Sequence, residues 1–230
     1  MIKSKKAGSL ILAGFMALGL VACEKPVESN TSKVAKVYGM YATEKYMQDE
    51  KITAEENTEL NFVGIKNEIQ SAQITFTALE QITSFDLEIT DLQEKNGEAV
   101  ISKDLIDVYA ERYIEIYNPL IVDATYQPLV GYYPDALVPI ERYQTRGEDR
   151  EEKGNNQSLW IDVNIPVSAK AGTYVGTFKL VLEEEKIDIP VTLKIYDLEM
   201  PEQVNAPSMF SIWYQNIANG EGENLDENTY

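Results

Sequence analysis

Any chemistry this chain performs must be done without imidazole. Its 230 residues include no histidine and a single cysteine, Cys23. That excludes a Ser/His/Asp triad, a Cys/His dyad and an imidazole-ligated metal. It also excludes an intrachain disulfide and a cysteine-rich zinc site. What remains is 38 acidic residues, 14 tyrosines, two tryptophans, amides and backbone. The stretch Gly131-Tyr-Tyr-Pro-Asp-Ala-Leu137 reads as a loop. In it, Tyr132 and Tyr133 offer flat rings that suit the C–H face of a sugar, and Asp135 suits its hydroxyls. The same residues suit a domain contact, with Asp135 bonding nearby backbone amides. Trp160, between Leu159 and Ile161, points away from the inner face of its strand, as a glycan platform or a covered interface. Tyr109, Tyr113 and Tyr117 share one strand face, with Asp107, Glu111 and Glu115 near them. Aromatic residues are also ordinary formers of half-buried strands, so docking is the preferred reading there. No catalytic residue is assigned. No EF-hand loop, phosphate loop or dinucleotide fingerprint occurs, and neither a metal nor a cofactor is expected. A formal charge of −18 opposes nucleic-acid binding, which needs cationic surface.

The elements that would position these residues are strands. Ala72, Ile74, Phe76 and Ala78 alternate onto one face, as do Leu159, Ile161, Val163 and Ile165. Leu60–Ile65, Phe85–Ile89 and Val108–Tyr117 follow the same period, and Asn96-Gly97 marks a turn. Tyr174–Leu182 and Ile187–Tyr196 flank a hairpin connection at Glu183–Lys186. Seven or eight strands rich in Val, Ile, Thr and Tyr predict an all-β antiparallel sandwich over residues 37–201. Arg142–Lys153 is a mixed-charge, solvated loop. Pro201 and Pro207 bracket a connector, and Met209–Tyr214 opens a new apolar strand.

The start of the chain is an address. Lys3, Lys5 and Lys6 precede the uncharged run Leu10–Val21, which is too short to span a bilayer but fits a secretory signal. The run ends Leu20-Val21-Ala22-Cys23, which resembles the bacterial lipoprotein signal. The resemblance implies cleavage before Cys23 and a diacylglycerol on its thiol. Residues 1–22 are then the signal peptide, and residues 23–36 a small, polar tether. The partner is a membrane reached through the lipid, and the location is extracytoplasmic. Losing three lysines takes the charge from −18 to −21.

Four segments in order resemble the N-terminal domain of glycoside hydrolase family 123 and its relatives. They are Ile65-Lys-Asn-Glu-Ile-Gln-Ser-Ala-Gln-Ile74, Gly131–Pro139, Asn156–Val167 running into Ala171-Gly-Thr-Tyr-Val-Gly-Thr177, and Tyr196-Asp-Leu-Glu-Met-Pro201. The resemblance implies a β-sandwich followed by a (β/α)8-type catalytic barrel. It further implies removal of terminal N-acetylgalactosamine by an Asp-Glu pair, with the substrate's acetamido group as nucleophile. No positions here match that pair. Residues 202–230 read as the start of a truncated barrel, with Ser208–Ile217 as its first strand. Glu221 and Glu223 follow that strand as solvated charge. The expectation is therefore a lipid-anchored, non-catalytic sandwich that supports a missing barrel and is inactive alone. The alternative is a stand-alone glycan-binding surface lipoprotein; a structural lipoprotein with a protein partner is a third reading.

Overall fold

Alternation decides which side chains meet, and the computed structural model follows it closely. The structure describes residues 32–117, 130–144 and 153–202. The readings at residues 1–23, at Ser208–Ile217 and at Glu221 and Glu223 lie outside the described residues, as do parts of the tether and of the Arg142–Lys153 stretch. In order, the strands are β1 (Ala35–Tyr41), β2 (Leu60–Lys66), β3 (Glu68–Ala78), β4 (Phe85–Glu88), β5 (Leu92–Glu94), β6 (Val100–Ile101), β7 (Ile106–Ile116), β8 (Gly131–Pro139), β9 (Asn156–Ile165), β10 (Gly172–Leu182) and β11 (Glu185–Glu199). A single helical turn, α1 (Ile140–Gln144), follows β8. Strand β1 begins at Ala35, inside the stretch read as tether, because Ala35 and Val37 both enter the core.

Two sheets result. One has the order β1-β3-β9-β7-β8; the other runs β2-β11-β10-β5-β6, with β4 also paired to β10. Their inner faces meet in one apolar core that includes Phe76, Leu159, Ile161, Phe178, Leu180 and Leu193, all essentially without solvent contact. Tyr174 joins this core because its hydroxyl finds the Lys170 carbonyl at 2.9 Å. Among the described residues, the named strands pair antiparallel except that β2 runs parallel to β11. β2 turns at Asn67 (φ 60°) directly into β3 of the other sheet, so no hairpin obliges it to oppose its neighbour.

The β10–β11 hairpin is tighter than its sequence suggests. Leu182 pairs with Glu185, leaving Glu183-Glu184 as a two-residue turn. Glu183 sits at φ 53°, a left-handed conformation that residues with a Cβ seldom adopt. Its carboxylate holds the turn by accepting from the Thr83 amide, the Thr83 hydroxyl at 2.9 Å and the Ser84 amide at 3.1 Å.

The outer face of the first sheet is not left to solvent. Residues 42–58 lie across it as a strap, with Tyr38, Met40, Ile52 and Tyr46 as a small second core. Buried amides pin the strap through its carbonyls. Gln73 donates to Tyr41 and Glu44, and Asn156 donates to Met47 and Glu50. Gly39 lets the returning chain approach: a Cβ there would lie 2.0 Å from the Glu59 carbonyl oxygen.

Candidate functional site

The strap reaches β8 at Gly131, Tyr132 and Pro134, and the outer face around Tyr109 and Trp160 carries the chemistry-bearing residues. Tyr109 on β7 pairs directly with Trp160 on β9, both half-buried and on the outward side. The Trp160 ring is fixed by its indole N–H, which donates to Asp162 Oδ1 at 2.7 Å. Ser71 Oγ donates to the same oxygen at 2.5 Å. Asn164 Nδ2 donates to Asp107 Oδ2 at 3.0 Å. Both carboxylates beside the aromatic pair are therefore engaged as positioners. Burial, and then Asp107, Asp162 and Glu141 nearby, hold the Tyr109 phenol above its ordinary pKa. It stays a hydrogen-bond donor throughout the physiological range. A cleft of about 370 Å³ opens beside it, walled by Leu87, Ile89, Ile106 and Ile140 with Glu141 at its rim.

The stretch Gly131–Leu137 is not a loop. It forms most of β8, paired to β7 from Gly131↔Ile116 to Pro139↔Tyr109. The turn-forming look of Gly-Tyr-Tyr-Pro-Asp has two local causes. Gly131 takes φ 145°, with Met47 of the strap packed where a Cβ would stand. Asp135 is an extra residue: the register passes from Arg112↔Ala136 to Tyr113↔Pro134 and skips it. A bulge of this kind accommodates a proline whose missing N–H the ladder cannot use.

This geometry separates the residues expected to act together. Tyr132 pairs with Glu115 and Tyr133 with Ile114, so the two rings point to opposite faces. Tyr132 is 44% exposed, whereas Tyr133 is half-buried. Asp135 is exposed on the bulge. Tyr132 and Trp160 share the outer face but lie apart, since their partners on β7, Glu115 and Tyr109, are separated by roughly 20 Å of strand. Tyr117 lies just beyond β7 and is 81% exposed.

Between the two aromatic positions sits a residue that the sequence did not single out. Glu111 is 2% exposed, and its Oε2 has no hydrogen-bond partner among the described residues. Burial raises its carboxyl pKa to about 7, against a smaller opposing pull from Lys45 of the strap. Lys45 itself donates to the Pro134 carbonyl at 3.3 Å. Behind the sheet, Gln157 joins these elements: its amide donates to the Glu111 carbonyl at 2.9 Å and accepts from the Tyr143 hydroxyl at 3.1 Å. Gln157 and Asn156 were legible only as part of a motif. Their work is to tie strap, β7 and α1 to β9. Among the described residues no group of three or more acidic or sulfur side chains is gathered to hold a metal, and no helix is long and apolar enough to cross a membrane.

A two-sheet sandwich module, with one outer face strapped and the rest aromatic and acid-rimmed, is the class these features define. Residues 42–182 match the glycoside hydrolase 123 N-terminal domain. The chain belongs to that family. Its fold is similar to that of a family 123 glycoside hydrolase from Clostridium perfringens, described in connection with glycolipid glycan hydrolysis. That similarity has a TM-score of 0.58 at 19% identity and covers 73% of this chain. The chain spans only 28% of that enzyme's length. A match to the CooA pilin subunit from enterotoxigenic Escherichia coli, at 8% identity over 70% of this chain and 98% of the pilin, reaches a TM-score of only 0.33 and carries no argument. Comparison with curated protein sequences gave no match.

Proposed function

We propose that this chain is the non-catalytic β-sandwich portion of a lipid-anchored, extracytoplasmic glycoside hydrolase acting on N-acetylgalactosamine-type glycans. Its role is to hold and orient a catalytic barrel that begins within residues 202–230. The observation that carries this reading is the family match across the sandwich, together with the small share of the Clostridium enzyme to which the chain corresponds. Cys23 carries the lipid, and the polar residues after it lift the sandwich off the membrane.

Two measurements test the reading. Purified residues 24–230 are expected to release nothing from a chromogenic N-acetylgalactosaminide; turnover would sink the non-catalytic assignment. Mass spectrometry of the chain expressed in a bacterium is expected to show a diacylglyceryl adduct at Cys23, lost in Cys23→Ala. An unmodified mature terminus would remove the anchor.

A second reading, a glycan-binding surface lipoprotein, draws on the paired, half-exposed rings of Tyr109 and Trp160. It requires glycan affinity that Trp160→Ala abolishes, and a silent glycan array would count against it.

A further inference from the structure

The cleft beside Tyr109 is walled by both sheets. Leu87 of β4 and the following Ile89 form one side, Ile106 and Val108 of β7 the other, and Ile140 of α1 closes the end. At about 370 Å³ it stands near the lower end of the range of ligand pockets, roughly 300–1,000 Å³. Ile89, Val108 and Ile140 pack on the core yet are only half-buried, so apolar surface remains on the cleft. Its polar side chains are Tyr109, Asp107 and Glu141: two carboxylates and, among the described residues, no base. Arg112, further along β7, is turned to the Tyr143 ring instead, 5.2 Å from its centroid. Asp162 adds its charge to those of Asp107 and Glu141 at the Tyr109 hydroxyl. These features discriminate among ligands. An anion is repelled. A sugar brings hydroxyls on every edge against walls that cannot bond them, and each buried, unpaired hydroxyl costs free energy. A cation on a long aliphatic stem fits both parts, with methylenes on the walls and its head at the acidic rim. Arginine suits the rim better than lysine, because its planar fork matches a carboxylate and stacks on a tyrosine ring.

We propose that this cleft binds an arginine side chain of a partner polypeptide whose extended main chain lies along β4. Among the described residues β4 pairs with β10 alone, so its other edge is open to a further strand. The positions flanking Leu87 on β4 are Asp86 and Glu88, both exposed. Glu88 is paired with Lys186, and Asp86 adds negative charge that favours a basic segment along this edge. A strand added there alternates its side chains between the two faces, as Leu87 and Glu88 do, and presents one of them to the cleft. The arginine stem packs on Leu87, Ile89 and Ile106. Its guanidinium meets Glu141 at the rim and the ring of Tyr109. Asp107, whose Oδ2 already accepts from Asn164, contributes through its charge. The site lies wholly within the sandwich, and the proposal does not depend on the glycosidase reading.

The test titrates the full chain with the acetylated, amidated peptide Val-Thr-Arg-Thr-Val and follows the backbone amides by NMR. Saturable shifts are expected at Leu87, Ile89, Tyr109 and Glu141. Glu141→Gln is expected to weaken binding about tenfold, the loss of one charge-assisted hydrogen bond. Replacing the peptide's arginine by citrulline, which keeps the shape and removes the charge, is expected to weaken it at least as much; this arm leaves the protein untouched. Glu199→Gln, at an exposed acid on the end of β11, is expected to change nothing. Absence of shifts at those residues overturns the proposal, as does binding that survives citrulline or Glu141→Gln. Equal weakening by Glu199→Gln also overturns it and assigns the binding to the diffuse negative charge of the chain. Butylguanidinium that binds as tightly as the peptide overturns the strand addition and leaves a site for small cations. Shifts at the same residues that grow with protein concentration alone overturn it too, and assign the cleft to a second copy.

Discussion

Glu111 shows how a single residue's role can depend on what covers it. In the sequence it has the same parity as Asp107 and Glu115 and nothing distinguishes it from them. In the fold it alone lies beneath the strap, and burial pushes its carboxyl pKa to about 7. A carboxyl whose folded pKa exceeds its unfolded value favours the protonated folded state. Its penalty is absent below the ordinary glutamate value of 4.5, grows as the pH rises, and is complete above about 7. Across that window it amounts to at most about 3 kcal/mol. Glu111→Gln is therefore expected to raise stability above pH 7 and to flatten the fall between pH 4.5 and 7. Denaturant titrations at several pH values check this; an unchanged pH slope would refute it. Glu183 works in the opposite sense. The Thr83 amide, chief among its donors, lowers its pKa, so its contribution is present at neutral pH and is lost on acidification below 4.5.

Among the elements, the strap has the least sequence signature. Residues 42–58 show no period, and the amides that hold them belong to distant strands. Asn156 is the key tie, because one buried side chain satisfies two strap carbonyls while also accepting from Thr77 Oγ1 at 2.6 Å. Asn156→Ala leaves those groups without partners and is expected to destabilise the chain by about 2 kcal/mol. Amide exchange in residues 42–58 is expected to accelerate more than in β10 or β11. Equal acceleration everywhere would show that the strap is not a separate unit. Strand β8 makes the complementary case. Its Pro-Asp and Gly signals are real, but one extra residue at Asp135 absorbs them within a ladder. Local turn propensity yields to pairing when a bulge can take up the mismatch.

At the scale of the molecule, the core is the part most open to sequence reasoning, because a two-residue period states directly which side chains go inside. Phe178, at the centre of that core, is expected to cost about 3–5 kcal/mol on replacement by alanine. Unfolding followed by near-ultraviolet and far-ultraviolet dichroism should then shift together, as both sheets share the core; separate transitions would contradict a single cooperative sandwich. The alternating strands and the family segments determined, without coordinates, an all-β sandwich belonging to glycoside hydrolase 123 N-terminal domains. They also determined the inward faces of β3 and β9. The tertiary structure decided the rest. It set Tyr132 and Tyr133 on opposite faces, brought Tyr109 to Trp160, buried Glu111, ran β2 parallel to β11 and left Tyr196, Leu198 and Met200 bare. Each of these depends on contacts between residues far apart in the chain, and a local period has no way to encode which strand will lie alongside.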